Sequence, residues 1–186
     1  MDIYEAFKTR RSIRKFSRER VSVELLKKFI DYARFSPSAR NEQPVRYMIV
    51  SGEKADKVFT FTHWAGYLKG AHSPSFDERP DAYILFLVPK GLSKPPKSDI
   101  GAIAQSIGIL AHSEGLGSCW MGAIDRAEIV KICSVPDDYE IDTLLSLGYP
   151  AESPKTVPVI DGDVRYFLDS DGVLNVPKFG LDEILF

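Results

Sequence analysis

An α+β fold, with long helices around a central and mainly antiparallel sheet, is predicted by three features of this 186-residue sequence. Short apolar runs at 46–51, 82–88 and 143–149 are bounded by turn residues, as strands are. Between them lie stretches with apolar residues at one-face helical spacing, most clearly 23–36 and 98–114. Near the C-terminus, 164–168 and 173–176 flank Asp169-Ser170-Asp171-Gly172 and read as a hairpin.

Taken in order, Asp2 is placed to cap a helix that runs to Lys8 or Thr9, with Glu5 three residues on. Ser22 caps the next expected helix, 23–36, where Leu25, Leu26, Phe29, Ile30 and Ala33 share a face and Pro37 ends it. Residues 46–51 form a strand with a buried centre, and 54–63 a helix. The stretch 64–80 is less regular, broken by Gly66, Gly70, Pro74 and Pro80. Ala82 to Val88 is apolar throughout and suits a strand buried on both faces. The helix over 98–114 carries Gly101 and Gly108, each costing about 1 kcal/mol against alanine, so close approach by a backbone or a ligand is expected there. Gly115 to Gly117 stops it; 118–121 is a short strand, 126–133 a helix and 143–149 a strand. The tail Leu181 to Phe186 is apolar enough to need a covering surface.

The length suits one well-buried core, so 1–186 is taken as a single domain. Hydrophobic residues at 44% and charged residues at 27% are those of a water-soluble protein. There is no apolar run long enough for a membrane span and no basic-then-apolar leader, so no membrane partner and a cytoplasmic location are expected. Cys119 and Cys133 lack CxxC spacing and read as reduced, buried thiols. Charge is uneven: 1–46 hold 12 Lys/Arg against 6 Asp/Glu, and the rest of the chain 12 against 20. The arginines cluster too locally for a long polyanion, which favours a small phosphate ligand over nucleic acid.

Several chemistries are set aside. Gly115-Leu116-Gly117 starts like a dinucleotide fingerprint, but Trp120 occupies the third glycine position. There is no P-loop, and no serine in G-x-S-x-G. His63, His72 and His112 have no metal-ligand spacing, so no metal is expected. No acid/base pair stands out and no catalytic side chain is named; an enzyme of this sequence would draw its chemistry from a cofactor.

Two motifs remain. Arg10-Arg11-Ser12-Ile13-Arg14 packs guanidinium forks and a hydroxyl into a few positions, a donor set matched to phosphate. Pro37-Ser38-Ala39-Arg40-Asn41-Glu42-Gln43-Pro44 offers amide donors and acceptors on a loop, suited to the polar edges of a flat heteroaromatic ring. Both resemble motifs of the nitroreductase-like flavoproteins. So do Asp99 to Gln105 followed by Gly117-Ser118-Cys119-Trp120, and Val176-Pro177-Lys178 before the apolar tail. The family often has tryptophan after the second proline of the loop, where this chain has Val45.

The resemblance implies a nitroreductase-like fold, an intertwined homodimer and FMN at the subunit interface. It implies that Arg10, Arg11, Ser12 and Arg14 hold the phosphate or ribityl chain, with Lys178 completing the charge balance. Pro37, Ser38, Ala39, Asn41 and Gln43 would come from the other subunit, and Gly117, Ser118 and Trp120 would approach the ring. Arg11 is the member of the cluster expected to diverge, because adjacent side chains do. The implied activity is ping-pong transfer of hydride from NADH or NADPH through N5 of FMN to a nitroaromatic, quinone or related small acceptor. Alternatives are a flavin-binding or flavin-consuming protein of the same fold without that turnover, and a binding module for another phosphorylated ligand.

Overall fold

The computed structural model describes residues 1–68 and 71–186, so Gly70 lies outside the described residues. Helix α1 (Ile3–Thr9) starts at Asp2, whose carboxylate accepts the N–H groups of Tyr4 and Glu5 at 2.7 and 3.0 Å, as expected of a cap. Helix α2 (Val23–Ala33) ends three residues earlier than expected. Pro37 has no N–H for the Ala33 carbonyl, and the Ser36 N–H takes that acceptor at 2.9 Å in a tightened last turn. Ser22 precedes the helix without a side-chain capping bond.

Strand β1 is Arg46–Ser51, as predicted. Helix α3 (Glu53–Phe59) is shorter than the expected 54–63 at its C-terminal end. Hydroxyls of Thr60 and Thr62 donate to the carbonyls of Lys57 and Phe59 at 2.8 and 2.7 Å, offering the backbone an alternative to another turn. Then follow β2 (Ala82–Pro89), α4 (Lys97–Ser113), β3 (Gly117–Met121), α5 (Arg126–Cys133) and β4 (Tyr139–Gly148). Gly115, with φ of 81°, makes the turn that releases the chain from α4.

The strands lie in the order β1-β2-β4-β3, every neighbouring pair antiparallel. Period-two alternation in β2 then separates two cores. Ala82, Ile84, Phe86 and Val88 pack with Leu26 and Phe29 of α2 and Ile100, Ile103 and Ile107 of α4. Tyr83, Leu85 and Leu87 pack with Ala55 and Val58 of α3 and Ile129 and Cys133 of α5. Helices on both faces are why this strand carries no charged residue, its one polar group being the buried Tyr83 hydroxyl. Truncating a ring such as Phe86 to alanine there costs about 3–5 kcal/mol.

The C-terminal region forms a second sheet from β5 (Lys155–Pro158), β6 (Phe167–Leu168) and β7 (Leu174–Lys178), in the order β5-β7-β6. The expected hairpin is β6–β7, with a shorter first strand; Asp169 closes its turn by accepting the N–H groups of Asp171 and Val173 at 3.1 and 2.9 Å. Strand β5 pairs parallel to β7 and was not foreseen. In the tail, Leu181, Ile184, Leu185 and Phe186 remain exposed, so the chain does not cover its own apolar end. Among the described residues no helix is long and apolar enough to cross a membrane.

Candidate functional site

The arginine segment leaves the end of α1 and crosses the ends of β3 and β4. Ser12 bridges Ser118, the Ile13 N–H donates to the Ser118 carbonyl at 2.9 Å, and Phe16 bridges Pro150. Beneath it Gly117 and Gly148 are cross-strand partners. A Cβ at Gly117 would lie 2.7 Å from Ile13 Cγ1, and one at Gly148 would lie 2.8 Å from Phe16 Cδ1. The two glycines are therefore a seat for the segment. Gly117 was expected to give a ring access to the backbone; the space before it is filled by Ile13 of the same chain.

Alternation along the segment puts Arg10, Ser12 and Arg14 on one side and Arg11 and Ile13 on the other. Burial pushes the Cys119 thiol up; Arg14, the Ser12 hydroxyl and Arg10 pull it back down, and Glu152 adds to the rise. Arg10 is half-buried, and its guanidinium is held below its usual value, first by burial and then by Arg11. Its Nε is buried with no hydrogen-bond partner among the described residues. An orphaned charged donor costs upward of about 1–3 kcal/mol, a penalty that an anionic acceptor would remove. Arg14 lies over the Tyr166 ring, 4.7 Å from its centroid.

Arg11 lies on the other side of the segment, and its Nε, like that of Arg10, is buried with no hydrogen-bond partner among the described residues. The side chain donates to the Lys8 carbonyl at 2.6 Å, to the Arg10 carbonyl and to the Thr156 hydroxyl on β5. Lys178, at the end of β7, is exposed and makes no ion pair among the described residues. His112 ties α4 to α1 through the Thr9 hydroxyl at 2.8 Å. That hydroxyl donates to the Glu5 carbonyl at 2.6 Å, so His112 Nε2 is the donor to it. Burial, Arg10 and Arg11 hold the imidazole below its usual value.

Two glycines of α4, Gly101 and Gly108, lie against residues of β3 and of the arginine segment. The Arg10 stem lies over Gly108, with the buried Ser118 hydroxyl beside it. Two turns back, about 10 Å along the helix, the Trp120 ring lies over Gly101. Trp120 is 49% exposed, with its indole N–H donating to the Thr143 hydroxyl at 2.8 Å. It is thus a surface residue and not a core residue. Methyl groups at Gly101 and Gly108 would meet their neighbours at 3.7 and 3.4 Å, ordinary contacts. Contacts inside this chain therefore do not require either glycine.

The loop at 37–44 lies elsewhere. It enters β1, at the opposite edge of the sheet from β3, about 14 Å away across three strand spacings. Pro37, Ala39, Asn41 and Gln43 are exposed and Ser38 is half-buried. Arg40, Asn41 and Gln43 have φ of 53, 60 and 48°, left-handed conformations that cost non-glycine residues about 1–2 kcal/mol each, less for asparagine. The loop is held mostly by bonds within itself: the Ser38 hydroxyl accepts the Gln43 N–H at 2.8 Å, the Gln43 amide donates to Asn41 Oδ1 at 3.1 Å, and the Ser38 and Ala39 carbonyls accept the Asn41 and Glu42 N–H groups at 2.9 and 3.0 Å, while buried Asp99 of α4 accepts the Ala39 N–H at 3.3 Å. Ser38 and Gln43 line a cavity of about 210 Å³ together with Asp99 and Ile103 of α4. One chain therefore does not bring its two predicted half-sites together.

Sequence reasoning missed Glu152 and His72. The Glu152 carboxylate accepts the N–H groups of Arg14 and Lys15, the latter at 3.1 Å, and meets His72 Nε2 at 2.5 Å. No local motif signals this, since 138 residues separate Glu152 from Arg14. Among the described residues no group of His, Cys, Asp and Glu is arranged to hold a metal ion.

With this geometry in hand, the comparisons are decisive for class. The model of the Nitroreductase family matches residues 7–73 and 95–149, and the chain belongs to that family. A protein of Methanothermobacter thermautotrophicus, provisionally named an NADH dehydrogenase/NAD(P)H nitroreductase, is 36% identical over 171 residues, covering 88% of this chain and 85% of its own. The iodotyrosine deiodinase of Thermotoga neapolitana is 28% identical over 184 residues, covering 88% and 97%. Among solved structures, the FMN and NADPH-dependent nitroreductase NfnB from Sphigopyxis sp. strain HMH superposes with a TM-score of 0.71 at 20% identity, over 100% of this chain and 98% of that one. A Desulfovibrio desulfuricans structure described as a nitroreductase in complex with FMN gives 0.66 at 22% identity, over 82% and 88%. These two likenesses establish a shared fold.

Proposed function

We propose that this chain is an FMN-dependent NAD(P)H oxidoreductase that reduces nitroaromatic, quinone or related small acceptors. Residues 1–186 act as one domain in a cytoplasmic homodimer, and each FMN site is made by two chains. The observation that carries the reading is the division of the site. An arginine half suited to phosphate and an amide loop suited to a ring sit on opposite edges of one sheet, so a second copy is needed to join them. The exposed apolar side chains of α1 and of the tail, including Tyr4, Phe7, Leu181 and Leu185, suit such an interface.

FMN, when bound, supplies the redox centre that takes hydride from NAD(P)H and passes it to the acceptor. The residues fit its phosphate: Arg10 brings an unpartnered buried donor, Ser12 a hydroxyl and Arg14 a second guanidinium. Lys178 adds a mobile-stemmed cation to the charge balance. Pro37, Ser38, Ala39, Asn41 and Gln43 of the second chain border the ring, where Asn41 and Gln43 offer both donors and acceptors. Gly117, Ser118 and Trp120 approach the ring, and Arg11 stands beside the phosphate cluster. No side chain is assigned as acid, base or nucleophile.

The test is an absorbance spectrum of the protein reconstituted with FMN, before and after anaerobic NADH or NADPH. A bound flavin band that bleaches supports the oxidoreductase. A bound band that persists removes the nicotinamide step, and failure to retain FMN removes the cofactor.

A further inference from the structure

We infer that Glu152 is a positioning residue for the phosphate end of this site, acting through the backbone of Arg14; the inference rests on the FMN reading above. The Glu152 side chain is only 10% exposed, and both of its oxygens are engaged. One accepts the N–H groups of Arg14 and Lys15, and the other meets His72 Nε2. The neighbouring Ala151 N–H donates to the Lys15 carbonyl at 2.9 Å. Residues 151–152 thus grip the peptide groups around Arg14 and Lys15 from both their donor and acceptor sides. Turning the Arg14 peptide would leave partly buried N–H groups without partners, which native proteins avoid.

The Arg14 side chain is held separately. Its guanidinium lies over Tyr166, whose ring is 5.1 Å from that of Tyr67 and whose hydroxyl accepts the Tyr67 N–H at 3.3 Å. His72 and Tyr67 both belong to the irregular stretch after α3. Backbone and side chain of Arg14 are therefore braced against one segment of the chain.

A carboxylate beside a cationic cluster invites a simpler explanation, neutralisation of charge. The contacts argue otherwise: among the described residues no Lys or Arg forms an ion pair with Glu152, whose partners are amides and an imidazole. It fixes where Arg14 sits without quenching the guanidinium, which stacks on Tyr166, donates to the Ser12 carbonyl at 3.5 Å and is paired with no carboxylate among the described residues.

FMN and riboflavin differ only in the phosphate, so their affinities, read by quenching of flavin fluorescence, separate positioning from general loss of structure. Glu152→Ala is expected to weaken FMN about tenfold or more, the scale of one charge-assisted hydrogen bond, and riboflavin by less than about twofold. Glu152→Gln, which keeps an oxygen for the amides, falls between wild type and Glu152→Ala. Tyr166→Leu, at a partly exposed site, weakens FMN severalfold and spares riboflavin. Equal losses of both flavins, or none, in Glu152→Ala overturn the inference. If that variant does not fold, an unchanged FMN-to-riboflavin ratio in both Glu152→Gln and Tyr166→Leu overturns it instead. A wild-type chain that binds both flavins equally refutes the phosphate reading itself, and is recognised without any variant.

Discussion

The two halves of the site are built in opposite ways. The arginine segment is fastened to its own chain along its length, seated on Gly117 and Gly148, bridged to β3 and gripped by Glu152. The 37–44 loop is mostly exposed, carries three left-handed non-glycine residues and is bonded chiefly to itself, with Asp99 and Arg46 tying it to its neighbours. One half is tied to distant parts of the fold, and the other is bonded mainly to itself; on the proposed dimer, the second half would be completed by the partner chain. A phosphate needs fixed, convergent donors, whereas a ring clamped between chains needs a loop that assembly can complete.

Substitutions can break or sharpen this contrast. The largest effect is expected at the glycine seat. Gly117→Ala or Gly148→Ala forces a Cβ into Ile13 or Phe16, and should cost about 1–3 kcal/mol in urea unfolding while abolishing flavin retention. Arg10→Ala should leave unfolding stability unchanged or slightly raised, because it deletes an orphaned donor. It should weaken FMN about tenfold to a hundredfold without affecting riboflavin. Asn41→Ala sits in the ring half and should weaken FMN and riboflavin alike, severalfold; a loss confined to FMN would reassign the loop.

Gly108→Ala should raise unfolding stability by up to about 1 kcal/mol, since the methyl meets only ordinary contacts in this chain. The smallest effect concerns pH. Burial, Arg10 and Arg11 hold His112 below its usual value, so the unfolded chain binds the proton more readily. Its contribution to stability is full above about pH 6.5 and is lost as pH falls from there through the lower folded value. His112→Gln should flatten that part of a stability–pH profile.

What could be read from the sequence was whatever local composition encodes. The apolar run at 82–88 is legible because helices cover both faces of β2. Strand β4 starts at Tyr139, where Tyr139 and Ile141 alternate with Glu140 and Asp142, a weaker signal than the apolar run after them. Strand β5 was invisible: Lys155-Thr156-Val157-Pro158 has little strand character and exists through its long-range pairing with β7. In the site, the arginines and the amide loop announce themselves by residue type. Glu152 and Gly148 do not, because their roles are contacts with Arg14 and Phe16 from the far end of the chain. Gly117 was legible as special, and the structure adds a reason the sequence does not show, the seat for Ile13.

The central claim, that each flavin site joins the arginine half of one chain to the loop half of another, is tested most directly by mixing two defective chains. One carries Arg10→Ala with Arg14→Ala, the other Asn41→Ala with Gln43→Ala, each bearing a different tag to verify exchange. Each alone should retain FMN poorly, and mixed dimers should regain one intact site, combining the loop of the first with the arginines of the second. Mixed dimers that bind FMN no better than either parent would contradict the claim.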